Sequence, residues 1–300
     1  MKLTIFTPTY NRAYILNEAY ESLCRQTCKD FEWLIIDDGS SDNTYDLVCS
    51  WMKCQNGFSI RYEKTANGGK MRALNRAFLN AKGELFVILD SDDYLADDAV
   101  ETILYWERQV SNRKDHFAGV AGLKCHKDGR PLGRTFVGEY VDCSVADRDQ
   151  YGIVGDKCEV FYTDLLRKHP FIEFPGENFQ PEGTLWMEIC YEERKVLRWF
   201  NKGIYFGDYL EDGYSANAID FLSNNPKGLL HSCLKTIEIK KPSYLEKLHI
   251  WHDYYLIGRK NGYSLKVIKR DLNLTRFDCL VLVLGHFVSI AKMRKYGVPE

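Results

Sequence analysis

Five apolar residues, Leu85 to Leu89, run directly into the acidic stretch Asp90-Ser91-Asp92-Asp93. Such a run predicts a strand buried on both faces, as in a parallel sheet covered by helices. Ligands of open α/β sheets bind at the carboxyl ends of these strands. Clustered carboxylates repel one another and are costly to desolvate, so they favour a bound cation or a hydroxyl-rich ligand. Oxygen ligands favour Mg²⁺ or Mn²⁺, bound partly through substrate phosphates. The alternative is a turn in which Asp92 or Asp93 caps the next helix.

The composition is typical of a globular enzyme-sized chain. Its 300 residues are 45% hydrophobic and 14% aromatic, which is ample for a packed core. The net charge of -2 gives no global field that would recruit nucleic acid. The ten cysteines are scattered without metal-ligand spacing, so we expect buried thiols in a reducing compartment. Met1 leads straight into a strand without a signal peptide, and we therefore expect a cytoplasmic protein.

The first 90 residues alternate predicted strands with predicted helices. The strands cover 3–7, 31–36, 58–62 and 85–89, and the helices between them cover about 13–25, 43–52 and 71–81. A βαβ array of this kind makes the strands parallel and brings their carboxyl ends to one edge. Pro8 to Asn11, Asp37-Asp38, Lys70 and Asp90 to Asp93 should therefore meet in one crevice. Several polar clusters at one edge indicate a nucleotide site, although no dinucleotide fingerprint, P-loop or His-Glu-x-x-His motif occurs.

Four motifs in this order and spacing resemble glycosyltransferase family 2, whose members are inverting enzymes of the GT-A fold. The motifs are Thr7-Pro-Thr-Tyr-Asn-Arg12, Trp33-Leu-Ile-Ile-Asp-Asp-Gly-Ser-Ser-Asp-Asn-Thr44, Asn67-Gly-Gly-Lys70 with Ala73-Leu-Asn75, and Lys82-Gly-Glu-Leu-Phe-Val-Ile-Leu-Asp-Ser-Asp-Asp93. The resemblance implies a GT-A, Rossmann-like α/β fold with a mixed, mainly parallel sheet flanked by helices. It implies a domain over 1–226, with a nucleotide-binding half at 1–110 and an acceptor half at 111–226. The residues from 227 onward themselves predict helices, at 229–235 and at about 244–260, so 227–300 is expected to form a C-terminal helical extension.

The resemblance also assigns roles at the crevice. Pro8, Thr9, Tyr10 and Asp38 would hold the nucleotide base, with Asp38 accepting from the imide N–H of uracil. Lys70 would lie near the donor or simply begin a helix in solvent.

The remaining donor-site roles concern the acidic stretch and a later loop. Asp90 and Ser91 would meet the ribose or donor sugar, and Asp92, with Asp90, would bind the Mg²⁺ or Mn²⁺ that bridges the diphosphate. Glu211 or Asp212 would complete the metal shell.

An inverting transfer needs a base that takes the proton of the acceptor hydroxyl. Family members carry this carboxylate ahead of an amphipathic helix, and Glu182 in Gln180-Pro-Glu-Gly-Thr-Leu-Trp-Met187 is the best match. Pro181 stands where a first carboxylate of the family's acidic pair is expected. The alternative role of Glu182 is helix N-terminal charge compensation. The competing bases are Glu173, Glu177 and Glu188.

The C-terminal region differs from the rest of the chain in charge. Residues 257–300 hold nine Lys or Arg against three Asp or Glu, an excess of six positive charges. The segment 277–291 is apolar but, at 15 residues, short for a membrane span, which needs about 20. With its basic flanks, 277–295 could lie on the inner leaflet of a membrane or form a buried helix that closes the core.

The family resemblance implies a metal-dependent inverting glycosyltransferase. By resemblance it would move a sugar, with UDP-hexose as the expected donor, to a hydroxyl of a glycan or polyprenyl-linked oligosaccharide, as in bacterial capsule or exopolysaccharide synthesis. The alternatives are a non-catalytic nucleotide- or glycan-binding subunit and a sugar nucleotidyltransferase. The latter would need a glycine-rich basic loop after the first strand, which Pro8-Thr-Tyr-Asn-Arg12 does not provide.

Overall fold

A computed structural model describes residues 1–210 and 217–285, which divide into two compact units. The first unit comprises Met1–Glu173 and Leu185–Leu210. The second comprises Phe174–Thr184 and the described residues after Leu210. The domain scheme of 1–226 and 227–300 stays a prediction.

The first part of unit one is the predicted βαβ array. Its strands are β1 (Leu3–Thr9), β2 (Phe31–Asp37), β3 (Ser59–Lys64) and β4 (Leu85–Ile88), and its helices are α1 (Asn17–Arg25), α2 (Thr44–Met52) and α3 (Lys70–Asn80). The strands pair in parallel in the order β3-β2-β1-β4. Every residue of β2 is buried, as a strand covered on both faces requires. The helix expected from about residue 13 begins at Asn17, because the chain first turns through 13–16 with Leu16 N–H donating to the Arg12 carbonyl.

The second part of unit one extends the same sheet. Its elements are β5 (Tyr94–Leu95), α4 (Ala99–Val110), a 3₁₀ turn (Ser111–Arg113), β6 (Phe117–Cys125), β7 (Tyr140–Cys143), a 3₁₀ turn (Arg148–Tyr151), β8 (Lys157–Tyr162), α5 (Thr163–Lys168), α6 (Glu182–Glu192, which begins in unit two) and β9 (Val196–Phe206). The full order is β3-β2-β1-β4-β8-β6-β9-β5, with β7 paired to β9. The predicted mixed α/β sheet is thereby confirmed, with four parallel and four antiparallel pairs among the described strands.

The strand directions determine which residues share the crevice edge. β8 is antiparallel to both β4 and β6, so β6 runs in the same direction as β4, and β9 is parallel to β6. The carboxyl ends of β1, β2, β4, β6 and β9 therefore lie at one edge of the sheet. Residues after β6 and β9 consequently join those after the first four strands.

Aromatic side chains fill the core on the helical faces of this sheet. Trp33 of β2 is fully buried and stacks with Trp51 and Tyr20 at centroid distances of 5.7 and 6.2 Å. Phe86 of β4 packs between Phe6 and Phe78 at 5.6 and 5.2 Å. Large aromatic rings bury much apolar area, so these contacts hold α1, α2 and α3 firmly against the parallel strands.

The second unit is helical, as predicted. Its helices are α7 (Ala218–Asn224), α8 (Pro226–Lys240), α9 (Tyr244–Lys260), α10 (Leu265–Asp271) and α11, described over 276–285. Their core includes Leu229, Tyr254, Ile257, Ile268 and Leu282. The α9 bounds equal those expected from the sequence, and Ser243 with Glu246 forms a capping box at its start.

The predicted membrane segment 277–295 is described only to residue 285. Within that part, Cys279 and Leu282 are buried in the helical core, whereas Phe277, Leu280 and Leu284 are 54% to 65% exposed. Among residues 1–210 and 217–285, no helix is both long and apolar enough to cross a bilayer.

Candidate functional site

Hydrogen bonds connect the polar residues that follow β1 with those that follow β2. The Asp38 N–H donates to the Thr9 carbonyl at 2.8 Å, which joins the ends of β1 and β2. Asn11 N–H donates to Ser40 Oγ at 2.8 Å, and Asn11 Oδ1 accepts from Ser41 N–H at 2.7 Å. The predicted approach of the β1 and β2 ends to each other is therefore found in the structure.

Asp38 is held by the glycine loop that precedes α3. Its Oδ1 accepts from Gly68 N–H at 2.8 Å and its Oδ2 from Gly69 N–H at 2.7 Å, and it is only 7% exposed. Burial raises the pKa of Asp38, against the lowering effect of these two amides. Each carboxylate oxygen has a second lone pair, so Asp38 can still accept from a ligand N–H.

The base-binding candidates on β1 differ in exposure. Pro8 is half-buried, Thr9 is 3% exposed and Tyr10 is 49% exposed. Thr9 Oγ1 is a buried atom without a hydrogen-bond partner among the described residues. Since buried hydroxyls normally have partners, this atom is suited to a polar group of a ligand.

Lys70, at the start of α3, and Asp90, after β4, form an ion pair. Lys70 Nζ donates to Asp90 Oδ1 at 2.6 Å, and the two side chains are 12% and 33% exposed. Burial opposes ionisation of Asp90, but the ammonium groups of Lys70 and Lys124 lower its pKa overall. Lys70 is thus a partner of the acidic stretch and not a lysine extended into solvent.

Asp92 is the carboxylate of the acidic stretch that is available to bind a ligand. Its side chain is half-buried and makes no hydrogen bond to another residue in the part of the chain that the structure describes, while its neighbour Ser91 is buried. Burial and the negative charge of Asp90 raise the pKa of Asp92. A carboxylate in this situation is stabilised by a cation.

The residues present fit a divalent ion that is bound together with phosphate. Within 1–210 and 217–285, no three His, Cys, Asp or Glu side chains form a ready metal cage. Mg²⁺ and similar ions, however, usually take one or two carboxylates and complete their shell with water and substrate phosphates. Asp92, with Asp90 beside it, provides that minimal set.

The remaining predicted residues are not brought to this crevice by the described contacts. Glu182 is the first residue of α6 and belongs to unit two. Glu211 and Asp212 lie outside the described residues. Of the competing bases, Glu173 accepts from Asn75 Nδ2 at 3.1 Å, and Glu177 accepts from the Lys227 and Gly228 amides at the start of α8.

Two residues beside the acidic stretch, Lys124 and Tyr205, were missed by the sequence reasoning, and both contact Asp93. Lys124 Nζ and Tyr205 Oη both donate to Asp93 Oδ2 at 2.8 Å. The sequence alone could have pointed to Lys124, because it is the only charged residue within the buried strand Phe117–Cys125. Tyr205 gave no such signal, since aromatic residues are common in strands.

The mixed α/β sheet with carboxylates clustered at one edge is the arrangement of the GT-A fold, and solved structures share this fold. The chain resembles S. aureus TarS 1-349 in complex with UDP-GlcNAc at a TM-score of 0.61 and 22% identity, covering 89% of this chain and 76% of that one. It also resembles the mannosyltransferase PcManGT from Pyrobaculum calidifontis in complex with GDP-Man and Mn²⁺, at a TM-score of 0.53 and 19% identity, covering 99% and 83%. At these identities the likeness shows the fold.

Sequence comparison gives the family. The profile of glycosyl transferase family 2 matches residues 4–118. The GalNAc(5)-diNAcBac-PP-undecaprenol beta-1,3-glucosyltransferase of Campylobacter jejuni is 31% identical over 230 residues, which cover 72% of this chain and 69% of that protein. The chain therefore belongs to glycosyltransferase family 2 and is an enzyme of the transferase class. Matches to several other curated relatives cover only 10% to 33% of their lengths.

Proposed function

We propose that this chain is a metal-dependent inverting glycosyltransferase that takes a hexose from a UDP-sugar. The observation that carries this proposal is the half-buried Asp92 carboxylate, which has a raised pKa and no hydrogen bond to another described residue, at the edge where Asp38 and Asp90 also lie. The Campylobacter jejuni relative, named as a glucosyltransferase, and the UDP-GlcNAc complex of TarS support a UDP-hexose donor. Because PcManGT was solved with GDP-Man, the choice of nucleobase is tested by comparing the binding of UDP with that of GDP.

The nucleotide would be bound by residues from three strand ends. Asp38, already held by two backbone amides, would accept the N3–H of uracil, and thymine carries the same donor. Pro8 and Tyr10 would enclose the base, and the buried Thr9 hydroxyl would pair with one of its polar groups. Rigid support of this kind lowers the ordering cost of binding.

Asp92 and Asp90 would hold Mg²⁺ or Mn²⁺, with Ser91 and Asp90 also near the ribose or donor sugar. The ion would neutralise charge on the diphosphate as it leaves. Lys70 would keep Asp90 ionised and oriented through their 2.6 Å contact. Glu211 and Asp212 are proposed to complete the metal shell.

Glu182 is proposed as the base of a single displacement. The acceptor hydroxyl loses its proton to the Glu182 carboxylate as its oxygen bonds to the anomeric carbon, and the bond from that carbon to the diphosphate oxygen breaks. Attack opposite the leaving group inverts the anomeric configuration. Glu182 is the first residue of α6, where its carboxylate faces the acceptor proton in this proposal.

The acceptor is proposed to be a glycan or polyprenyl-linked oligosaccharide at the cytoplasmic face of a membrane. The Campylobacter jejuni relative is named for an undecaprenol-linked acceptor. On α11, Phe277, Leu280 and Leu284 expose apolar side chains at helical spacing, which suits contact with a bilayer surface. Sedimentation with anionic vesicles should decrease for Phe277→Asp and remain unchanged for the control Leu79→Asp, which makes the same kind of change at an exposed position of α3.

A transfer assay tests the catalytic proposal. Purified protein with Mn²⁺ is given UDP-glucose or UDP-GlcNAc and polyprenyl-linked acceptors, and released UDP is measured. Glu182→Gln should reduce transfer by about 1,000-fold while UDP binding is retained, because only the proton acceptor is removed. Glu192→Gln, at the other end of α6, is the matched control. If the wild type binds UDP but transfers to none of these acceptors, the proposed acceptor class is wrong. Transfer by Glu182→Gln at the wild-type rate would show that another group is the base.

A further inference from the structure

Lys124 is a buried cation among carboxylates at the end of β6. Its side chain is 12% exposed and its ammonium donates to Asp93 Oδ2 at 2.8 Å. The ammonium also lies 4.9 Å from the ring centre of Tyr205 and 5.9 Å from that of Tyr209. An ammonium so enclosed is costly to desolvate, and its carboxylate and ring partners offset that cost.

Tyr205, from β9, connects both ends of the acidic stretch. Its Oη accepts from the Asp90 backbone N–H at 2.9 Å and donates to Asp93 Oδ2 at 2.8 Å. Tyr205 is only 4% exposed, so this hydroxyl is shielded from competing water. One side chain therefore fixes the geometry of the turn that contains Asp92.

Gly207 provides a third constraint on Asp93. A Cβ on Gly207 would lie 1.5 Å from Asp93 Oδ1, so the carboxylate packs directly against this backbone. Asp93 itself is 3% exposed and its two oxygens are turned toward Tyr205, Lys124 and Gly207. Asp93 is thus buried too deeply to contact a nucleotide, and its role is to hold the turn.

We propose that Lys124 and Tyr205 are positioning residues of the donor site, which act through Asp93 to aim Asp92 at the metal and diphosphate. The inference rests on the proposed function, because it assigns a purpose to the geometry of that same site. It explains why two strands far apart in sequence, β6 and β9, meet at one buried carboxylate: Lys124 lies 31 residues and Tyr205 112 residues from Asp93. Partners behind metal ligands commonly set ligand orientation in this way.

The test measures UDP binding by calorimetry as Mn²⁺ is titrated into the full chain. Lys124→Met and Tyr205→Phe should raise the Mn²⁺ concentration needed for half-maximal UDP binding by about 10-fold to 100-fold and about 10-fold respectively. Lys124→Arg, which keeps the charge and a donor, should recover most of the loss. Lys202→Met is the matched control, because Lys202 pairs with Asp98 at the surface.

The outcomes separate the two proposals. If the wild type binds no UDP at any Mn²⁺ concentration, the donor assignment fails and this inference fails with it. If the wild type binds and both variants keep its Mn²⁺ dependence, only the positioning role is overturned. A merely structural role would lower the melting temperature of Lys124→Met without shifting its Mn²⁺ dependence. Should Lys124→Met fail to fold, Tyr205→Phe decides, since it removes a single hydroxyl.

Discussion

The two parts of the nine-stranded sheet bring polar residues to the same edge in different ways. In β1 to β4, the site residues follow directly after the strands in short motifs, such as Asp37-Asp38 and Asp90 to Asp93. In β5 to β9, single residues such as Lys124 and Tyr205 reach the same place from within strands. In the proposed function, residues of the first part contact the ligand, and residues of the second part hold them in position.

Among the variants that test this comparison, Gly207→Ala should lose the most stability. The added Cβ would press on Asp93 Oδ1 from 1.5 Å, so either the backbone or an ion-paired carboxylate must move. We expect a loss of about 3 kcal/mol in unfolding free energy, at the upper end for overpacking. Urea denaturation measures it.

The control for this glycine is Gly183→Ala. No atom lies within 4 Å of a Cβ there, and the residue is in α6, so the variant should be neutral or slightly stabilised. Equal stabilities of the two variants would mean that the Asp93 contact does not constrain the second part of the sheet.

A second prediction concerns Glu159, a nearly buried residue of β8. Its side chain is 13% exposed and lies 3.3 Å from an Arg148 nitrogen. Burial raises the pKa of Glu159 to about 7, although Arg148 and Lys157 lower it and Asp156 raises it further. A carboxyl group with a raised folded-state pKa favours folding while it is protonated. Its contribution to the unfolding free energy is therefore lost as pH rises through about 7.

The unfolding free energy of the wild type should therefore fall by about 2 kcal/mol more between pH 5 and 8 than that of Glu159→Gln. Chemical denaturation at a series of pH values measures the difference. Glu139→Gln, at an exposed position, should keep the wild-type slope. A Glu159→Gln slope equal to that of the wild type would show that this carboxyl group is already ionised near pH 5.

The third prediction returns to the parallel part of the sheet. Asp38→Asn replaces one of two oxygens that accept backbone N–H groups by an amide donor, leaving Gly68 or Gly69 unsatisfied. We expect a loss of about 1 kcal/mol in unfolding free energy, at the low end because the buried charge is also removed. Thermal unfolding measures it, with the exposed Asp115→Asn, in a turn, as a control that should stay at the wild-type value. A more stable Asp38→Asn protein would contradict a stabilising role of the hydrogen bonds from Gly68 and Gly69 to Asp38.

The parallel part was predictable because its strands, motifs and site share one regular geometry. Continuous apolar runs located β1, β2 and β4, and the βαβ rule then placed Asp38, Lys70 and Asp90 together. The sequence could not indicate that β8 would insert antiparallel between β4 and β6, because no short-range pattern encodes long-range pairing. Lys124 and Tyr205 depend on that insertion and on the β6–β9 pairing, so their approach to Asp93 followed only from the structure.

The central claim is that the edge formed by β1, β2 and β4 is a nucleotide-diphosphate site. Titration calorimetry of UDP into the wild type, with Mn²⁺ or with EDTA, tests it directly, together with Asp92→Asn. Asp97→Asn is the matched control, because Asp97 forms an exposed ion pair with Arg25. We predict binding on the order of micromolar that needs Mn²⁺, is lost in Asp92→Asn and is kept in Asp97→Asn. Absence of UDP binding, or binding that survives both EDTA and Asp92→Asn, would contradict the account.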